Sequence, residues 1–158
     1  LGTGCRWGEG SGLRWEDVDL DAGTVTVAGT LIQKAGWQAD TKTHEVRTLQ
    51  VPPFVLAVLR RRLSEAREGA VFVFEQGGKS LAYNSARTWL GRALKGSDLE
   101  WVTWHVLRKT TATFLDERLG IAEASLQLGH ASEEMTRSAY VQRSKQAAFA
   151  EALEGLAG

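Results

Sequence analysis

The chain has 158 residues, of which 43% are hydrophobic and 24% charged, and its 19 Lys and Arg balance its 19 Asp and Glu to a formal net charge of zero. This is the balance of one globular domain with a single core. No apolar run approaches the roughly 18 residues of a membrane helix, the opening residues do not read as a secretory leader, and the single cysteine, Cys5, excludes an internal disulfide framework and fits a reducing, cytoplasmic setting. Net neutrality also argues against holding a polyanion by bulk charge. Distribution softens that objection. Acidic residues crowd Glu16 to Asp21 and the tail, leaving Arg6, Arg14, Lys42, Arg47, Lys79, Arg87, Arg92, Lys95, Arg108 and Lys109 to gather on one face.

Taken in chain order, Leu1 to Cys5 lead straight into Arg6-Trp7-Gly8-Glu9 with no structure of their own, and an acidic turn follows Leu13-Arg14-Trp15. Thr24 to Val27 alternates and is β-branched, which predicts a strand; Leu31 to Gln33 is a second candidate. Lys34 to Lys42 reads as a hairpin loop and Val46 to Val51 as a strand with Leu49 and Val51 on one face. Pro52-Pro53 opens a helix with an apolar stripe of Val55, Val58, Leu59 and Leu63. Val71 to Phe74 is a short buried run ending at Gly77-Gly78. Asn84 or Ser85 is placed to cap a helix carrying Ala86, Trp89, Leu90, Ala93 and Leu94. Helices are then expected over 105–119, closed by Gly120, and over 121–128, closed by Gly129, followed by one capped at Ser132 and a last one through Phe149, Leu153 and Leu156. The fold class is mainly α with a small antiparallel β-sheet (α+β).

Four segments carry residues with chemistry. His105 and Arg108 sit three apart on one helix, an imidazole and a planar guanidinium fork that suit an anionic substrate, with Leu107, Phe114 and Leu115 turned toward a core. Leu128-Gly129-His130 puts a histidine in a turn ahead of Tyr140, Gly4 to Glu9 carries Arg6, and Thr41-Lys42-Thr43 lies ahead of Arg47. Each has a plainer reading: a surface pair at His105 and Arg108, a capping His130 with a half-buried Tyr140, a surface ion pair between Arg6 and Glu9, and a solvated Lys42.

In this order the segments resemble the catalytic domain of the tyrosine recombinases, the phage-integrase family. That family carries T-G-x-R-x-G-E, matched by Thr3 to Glu9; a hairpin lysine, matched by Lys42; H-x-L-R, matched by His105 to Arg108; L-G-H, matched by Leu128 to His130; and a tyrosine nucleophile, matched by Tyr140. The resemblance implies a recombinase or integrase that cuts and rejoins double-stranded DNA through a 3′-phosphotyrosyl bond, with no cofactor and no metal. In it Arg6 and Arg108 clamp the phosphate, His130 adds a hydrogen bond, His105 takes the phenol proton, and Lys42 protonates the leaving 5′ oxygen.

Two departures stand out. Gly10-Ser11 replaces the usual apolar residues and is expected to weaken the helix after Arg6, and Trp104 stands where proline is common, expected to pack against the Arg6 segment. The chain is read as 1–158 of a C-terminal catalytic domain, truncated before Arg6 and lacking an upstream DNA-clamping domain, so that alone it binds DNA weakly. Its tail from Gln146 to Leu156 either covers its own core or docks on a neighbouring protomer in a tetramer on DNA. The alternatives are a type IB topoisomerase-like enzyme and a catalytically inactive DNA-binding fragment; a metal site from His44, His105 and His130 lacks ligand-type spacing.

Overall fold

The computed structural model describes residues 2–39 and 46–129. Lys42, His130 and Tyr140, together with the expected helices beyond Ser132, lie outside the described residues. Residues up to Thr111 form one compact unit and a second begins at Ala112.

The first unit begins with a five-residue helix, α1 (Trp7–Ser11), and a 3₁₀ turn at Trp15–Asp17. Strands β1 (Val18–Asp19), β2 (Thr24–Val27) and β5 (Arg47–Gln50) make an antiparallel sheet in the order β1-β2-β5. Strand side chains alternate between faces and directly opposed residues share one. The register opposes Val25 to Leu49 and Val27 to Arg47, so Val25, Val27, Leu49 and Val51 turn inward, each no more than 4% exposed, and Arg47 occupies the same inner row. Leu59 and Val73 complete this core. The hairpin expected over Lys34 to Lys42 is tighter than its sequence suggested: β3 (Thr30–Ile32) pairs with β4 (Gly36–Gln38), so Gly36 and Trp37 belong to a strand.

Helix α2 (Pro53–Glu65) starts at the proline pair as expected. Its buried face differs from the expected stripe. Val55, Leu56 and Leu59 face the core, whereas Val58 and Leu63 are exposed. Arg62 takes the place expected for Leu63: its Nε donates to the Val73 carbonyl at 2.9 Å and its guanidinium lies 4.9 Å from the Phe74 ring. The run from Val71 to Phe74 is not buried throughout. It pairs with the Leu13 to Trp15 stretch, which buries Val73 and leaves Val71 exposed.

A small hairpin, β6 (Glu75–Gln76) and β7 (Lys79–Ser80), turns through Gly77 and Gly78, both at positive φ, the conformation that a two-residue hairpin turn demands. Helix α3 (Tyr83–Leu94) begins before the expected Asn84 or Ser85 cap, with Ala82 at the N-cap. It buries Ala86 and leaves Trp89 exposed. Helix α4 (Trp104–Leu119) runs as expected, but Phe114 is exposed beneath the Arg118 guanidinium rather than in a core. Helix α5 (Ile121–Leu128) ends at Gly129, whose left-handed φ of 62° is the usual helix stop. Among the described residues no helix is long and apolar enough to cross a membrane. The fold class is the expected one, helices with small antiparallel sheets.

Candidate active site

The site is built around Glu9. Its carboxylate is 3% exposed, so the Arg6–Glu9 pair is not the surface ion pair of the plainer reading. Glu9 Oε2 accepts the Arg6 backbone N–H at 2.8 Å, and Oε1 accepts the Arg6 guanidinium at 2.8 Å. Arg47, from β5, grips the same two oxygens at 3.3 and 2.8 Å. Burial pushes the Glu9 carboxyl up, but Arg47 and Arg6 outweigh it and hold the group below its ordinary value. One buried anion thus serves two guanidiniums.

The short α1 helix is fixed by close approach rather than by propensity. A Cβ on Gly8 would stand 2.4 Å from Thr30 Oγ1 and 2.9 Å from the Leu31 carbonyl, so only glycine lets β3 pass there. Trp37 Nε1 donates to the Gly12 carbonyl at 3.0 Å. These contacts explain why Gly10-Ser11 does not abolish the helix: α1 persists through Ser11, which is itself buried.

Arg108 reaches this cluster from α4, donating to the Gly4 carbonyl across 104 positions of sequence. Burial, then the Arg6 guanidinium beside it, pushes its pKa down to about 10, partly offset by Glu9. It is still a cation at neutral pH, held in a place that favours an anion. Arg6 keeps 31% of its side chain exposed, while Arg47 keeps 11%. His105 is exposed one turn before Arg108. Beside the arginines lies a cavity of about 210 Å³ lined in part by Cys5, Trp7, Ser11, Trp104 and Leu107. Burial raises the Cys5 thiol above its ordinary pKa, which keeps it protonated and inert as a nucleophile at neutral pH.

Trp104 packs against the Arg6 segment as expected: its ring lies 5.0 Å from Trp7, which in turn meets Tyr83 edge-on at 5.5 Å. Its Nε1 is buried without a hydrogen-bond partner. Trp104→Ala is expected to cost about 2 kcal/mol of stability, since a half-buried tryptophan loses less than a core one. Denaturant titration checks this; an unchanged midpoint would show that the stack holds nothing.

Of the six residues nominated from sequence, Arg6, His105 and Arg108 are described, and the structure brings Arg6 and Arg108 together; Lys42, His130 and Tyr140 lie outside the described residues. Of the basic residues expected to gather, Arg6, Arg47 and Arg108 do so. Arg14 instead pairs with Glu16 and Asp17 and lies over Trp37. The role of Arg47 was missed, although alternation from Leu49 and Val51 already placed it on the inner face.

Comparison with known proteins gives the same reading. A model described as the phage integrase family matches residues 1–147. A tyrosine recombinase XerC-like protein of Caldanaerobacter subterraneus subsp. tengcongensis is 27% identical over 168 residues, covering 89% of this chain and 43% of that relative. Among solved structures, the Tn1549 transposon integrase in complex with a circular intermediate DNA superposes with a TM-score of 0.75 at 23% identity, covering 87% of this chain and 50% of that one. The XerA recombinase superposes at 0.67 and 23% identity, covering 91% and 53%. The XerH site-specific recombinase bound to a palindromic difH substrate does so at 0.65 and 24%, covering 93% and 42%. The chain thus spans about half the length of the proteins it matches. With the family match running from the segment that carries Arg6 past the one that carries Arg108, this chain belongs to the phage integrase family, the tyrosine recombinases.

Proposed function

We propose that this chain is the catalytic domain of a site-specific DNA recombinase, placed C-terminally in its protein, that breaks and rejoins double-stranded DNA through a 3′-phosphotyrosyl intermediate at Tyr140. The observation that carries the reading is that Arg6 and Arg47 share the buried carboxylate of Glu9 while Arg108 stands close enough to feel the charge of all three. Among these four groups positive charge exceeds negative, and the exposed part of Arg6 opens that excess to solvent. Preorganised donors of this kind favour the charge that builds on the non-bridging oxygens of a phosphodiester under attack.

In the proposed reaction the Tyr140 oxygen bonds to phosphorus as the bond to the 5′ oxygen breaks. The phenol proton passes to His105, and the leaving oxygen takes a proton from Lys42. Arg6 and Arg108 clamp the phosphate and His130 donates a hydrogen bond to it. The phosphotyrosyl bond keeps the energy of the diester, so rejoining needs no nucleotide cofactor. The relatives named for complexes with DNA support DNA as the partner. We place the work in the cytoplasm, on a homo-oligomer, a tetramer, assembled on the DNA.

The test is capture from a nicked duplex pool of randomised sequence, in which a cut strand loses its short 3′ piece and cannot be rejoined. The full-length protein should yield a covalent adduct and Tyr140→Phe none, with binding retained. An adduct formed equally by Tyr140→Phe would refute the assignment. Relaxation of supercoiled DNA without any need for paired sites would instead favour the type IB topoisomerase-like alternative.

A further inference from the structure

We infer that Arg47 is a positioning residue for strand cleavage: by sharing the Glu9 carboxylate it keeps that anion from closing fully on Arg6, and so leaves Arg6 turned outward for a phosphate. The inference rests on the DNA-cleaving reading above.

Three observations support it. The first is register. Arg47 stands opposite Val27 in the row that also holds Leu49, a position that ordinarily carries an apolar side chain. A guanidinium there is costly unless it meets a charge, and it meets Glu9 through two bonds. The second is division of the carboxylate. Each Glu9 oxygen accepts from Arg47, and from Arg6 the carboxylate accepts one guanidinium bond and one backbone bond rather than both arms of the fork. A carboxylate and a guanidinium left to themselves favour the bidentate fork. With Arg47 removed, Glu9 is therefore free to take both arms of Arg6 and draw it inward. The third is exposure. Arg6 is the more open of the two arginines and Arg47 is nearly enclosed, so Arg6 is the one placed to touch substrate and Arg47 acts through Glu9.

The test uses the full-length protein and a duplex recovered from the capture experiment, with three readouts: single-turnover adduct formation, DNA affinity and thermal melting. Arg47→Met is expected to slow adduct formation by about 100-fold, the scale of a small misplacement at a reacting centre, while DNA affinity holds. Arg47→Lys keeps a charge but not the fork, and is expected to slow the reaction by about 10-fold. Adding Glu9→Gln to Arg47→Met removes the anion that captures Arg6 and should recover part of the lost rate, which no loss of packing would do. Should Arg47→Met fail to fold, Arg47→Lys carries the test. Wild-type rates in folded Arg47 variants would overturn the inference, as would a loss of DNA affinity equal to the loss of rate, which would make Arg47 a direct DNA contact. In both cases the wild type still forms its adduct; a wild type that forms none refutes the DNA-cleaving reading, and this inference with it.

Discussion

Arg108→Ala is expected to slow strand cleavage by about 100- to 1,000-fold, the usual loss when one preorganised donor to a developing oxyanion is removed. The substitution removes two things together. It takes away a partly buried cation whose pKa is already pushed down by burial and by Arg6, so that bringing an anion against it relieves an existing cost. It also cuts the bond to the Gly4 carbonyl that joins α4 to the segment leading into Arg6. Arg108→Lys should recover little, because an ammonium lacks the planar fork and sheds its proton more readily when buried. DNA affinity should fall much less than the rate, since one phosphate contact among many is lost. Single-turnover assays beside binding curves separate the two effects, and a near-normal rate in folded Arg108→Ala would remove this arginine from the clamp.

Glu9→Gln is expected to have the largest effect on stability. It leaves the Arg47 guanidinium almost enclosed and without the carboxylate that faces it, a change that commonly costs about 3–5 kcal/mol. In a domain of this size that corresponds to a melting temperature lower by about 10 °C. The effect should depend on pH in a definite direction. The Glu9 carboxyl is held below its ordinary value of 4.5, so its stabilisation is complete above that value and is lost as pH falls through the lower folded pKa. Wild type and Glu9→Gln should therefore differ most above about pH 4.5 and converge in stronger acid, which melting curves across pH will show. A constant gap at every pH would mean that Glu9 acts through shape rather than charge.

Much of this was legible in the sequence because local rules and tertiary structure agree there. The β-branched alternation from Thr24 to Val27, the proline pair opening α2, and Gly120 and Gly129 closing α4 and α5 each specify their element. Where they disagree, tertiary contact wins. Val58 and Leu63 fit a helical stripe, yet α2 turns Arg62 inward, where its guanidinium lies over the Phe74 ring and its Nε donates to the Val73 carbonyl. The Asn84 and Ser85 cap signals sit inside α3, which starts earlier at Tyr83, where that ring meets Trp7.

The site was legible as motifs but not as electrostatics. Arg6 and Arg108 were named from their segments, and that they meet is a tertiary fact. Glu9 read as the partner of a surface pair because its sequence distance to Arg6 is short, while its contact with Arg47 spans 38 positions. Net neutrality resolves in the same way. Arg14, Arg60, Arg62 and Arg67 are tied to carboxylates or carbonyls, whereas Arg6, Arg47 and Arg108 gather at Glu9.

The most direct test of the central claim is to map the covalent bond itself. After capture on the nicked duplex, digestion with nuclease and protease followed by mass spectrometry should find the peptide containing Tyr140 carrying a nucleotide through its 3′ phosphate. A nucleotide on any other side chain, or one joined through a 5′ phosphate, would contradict the account.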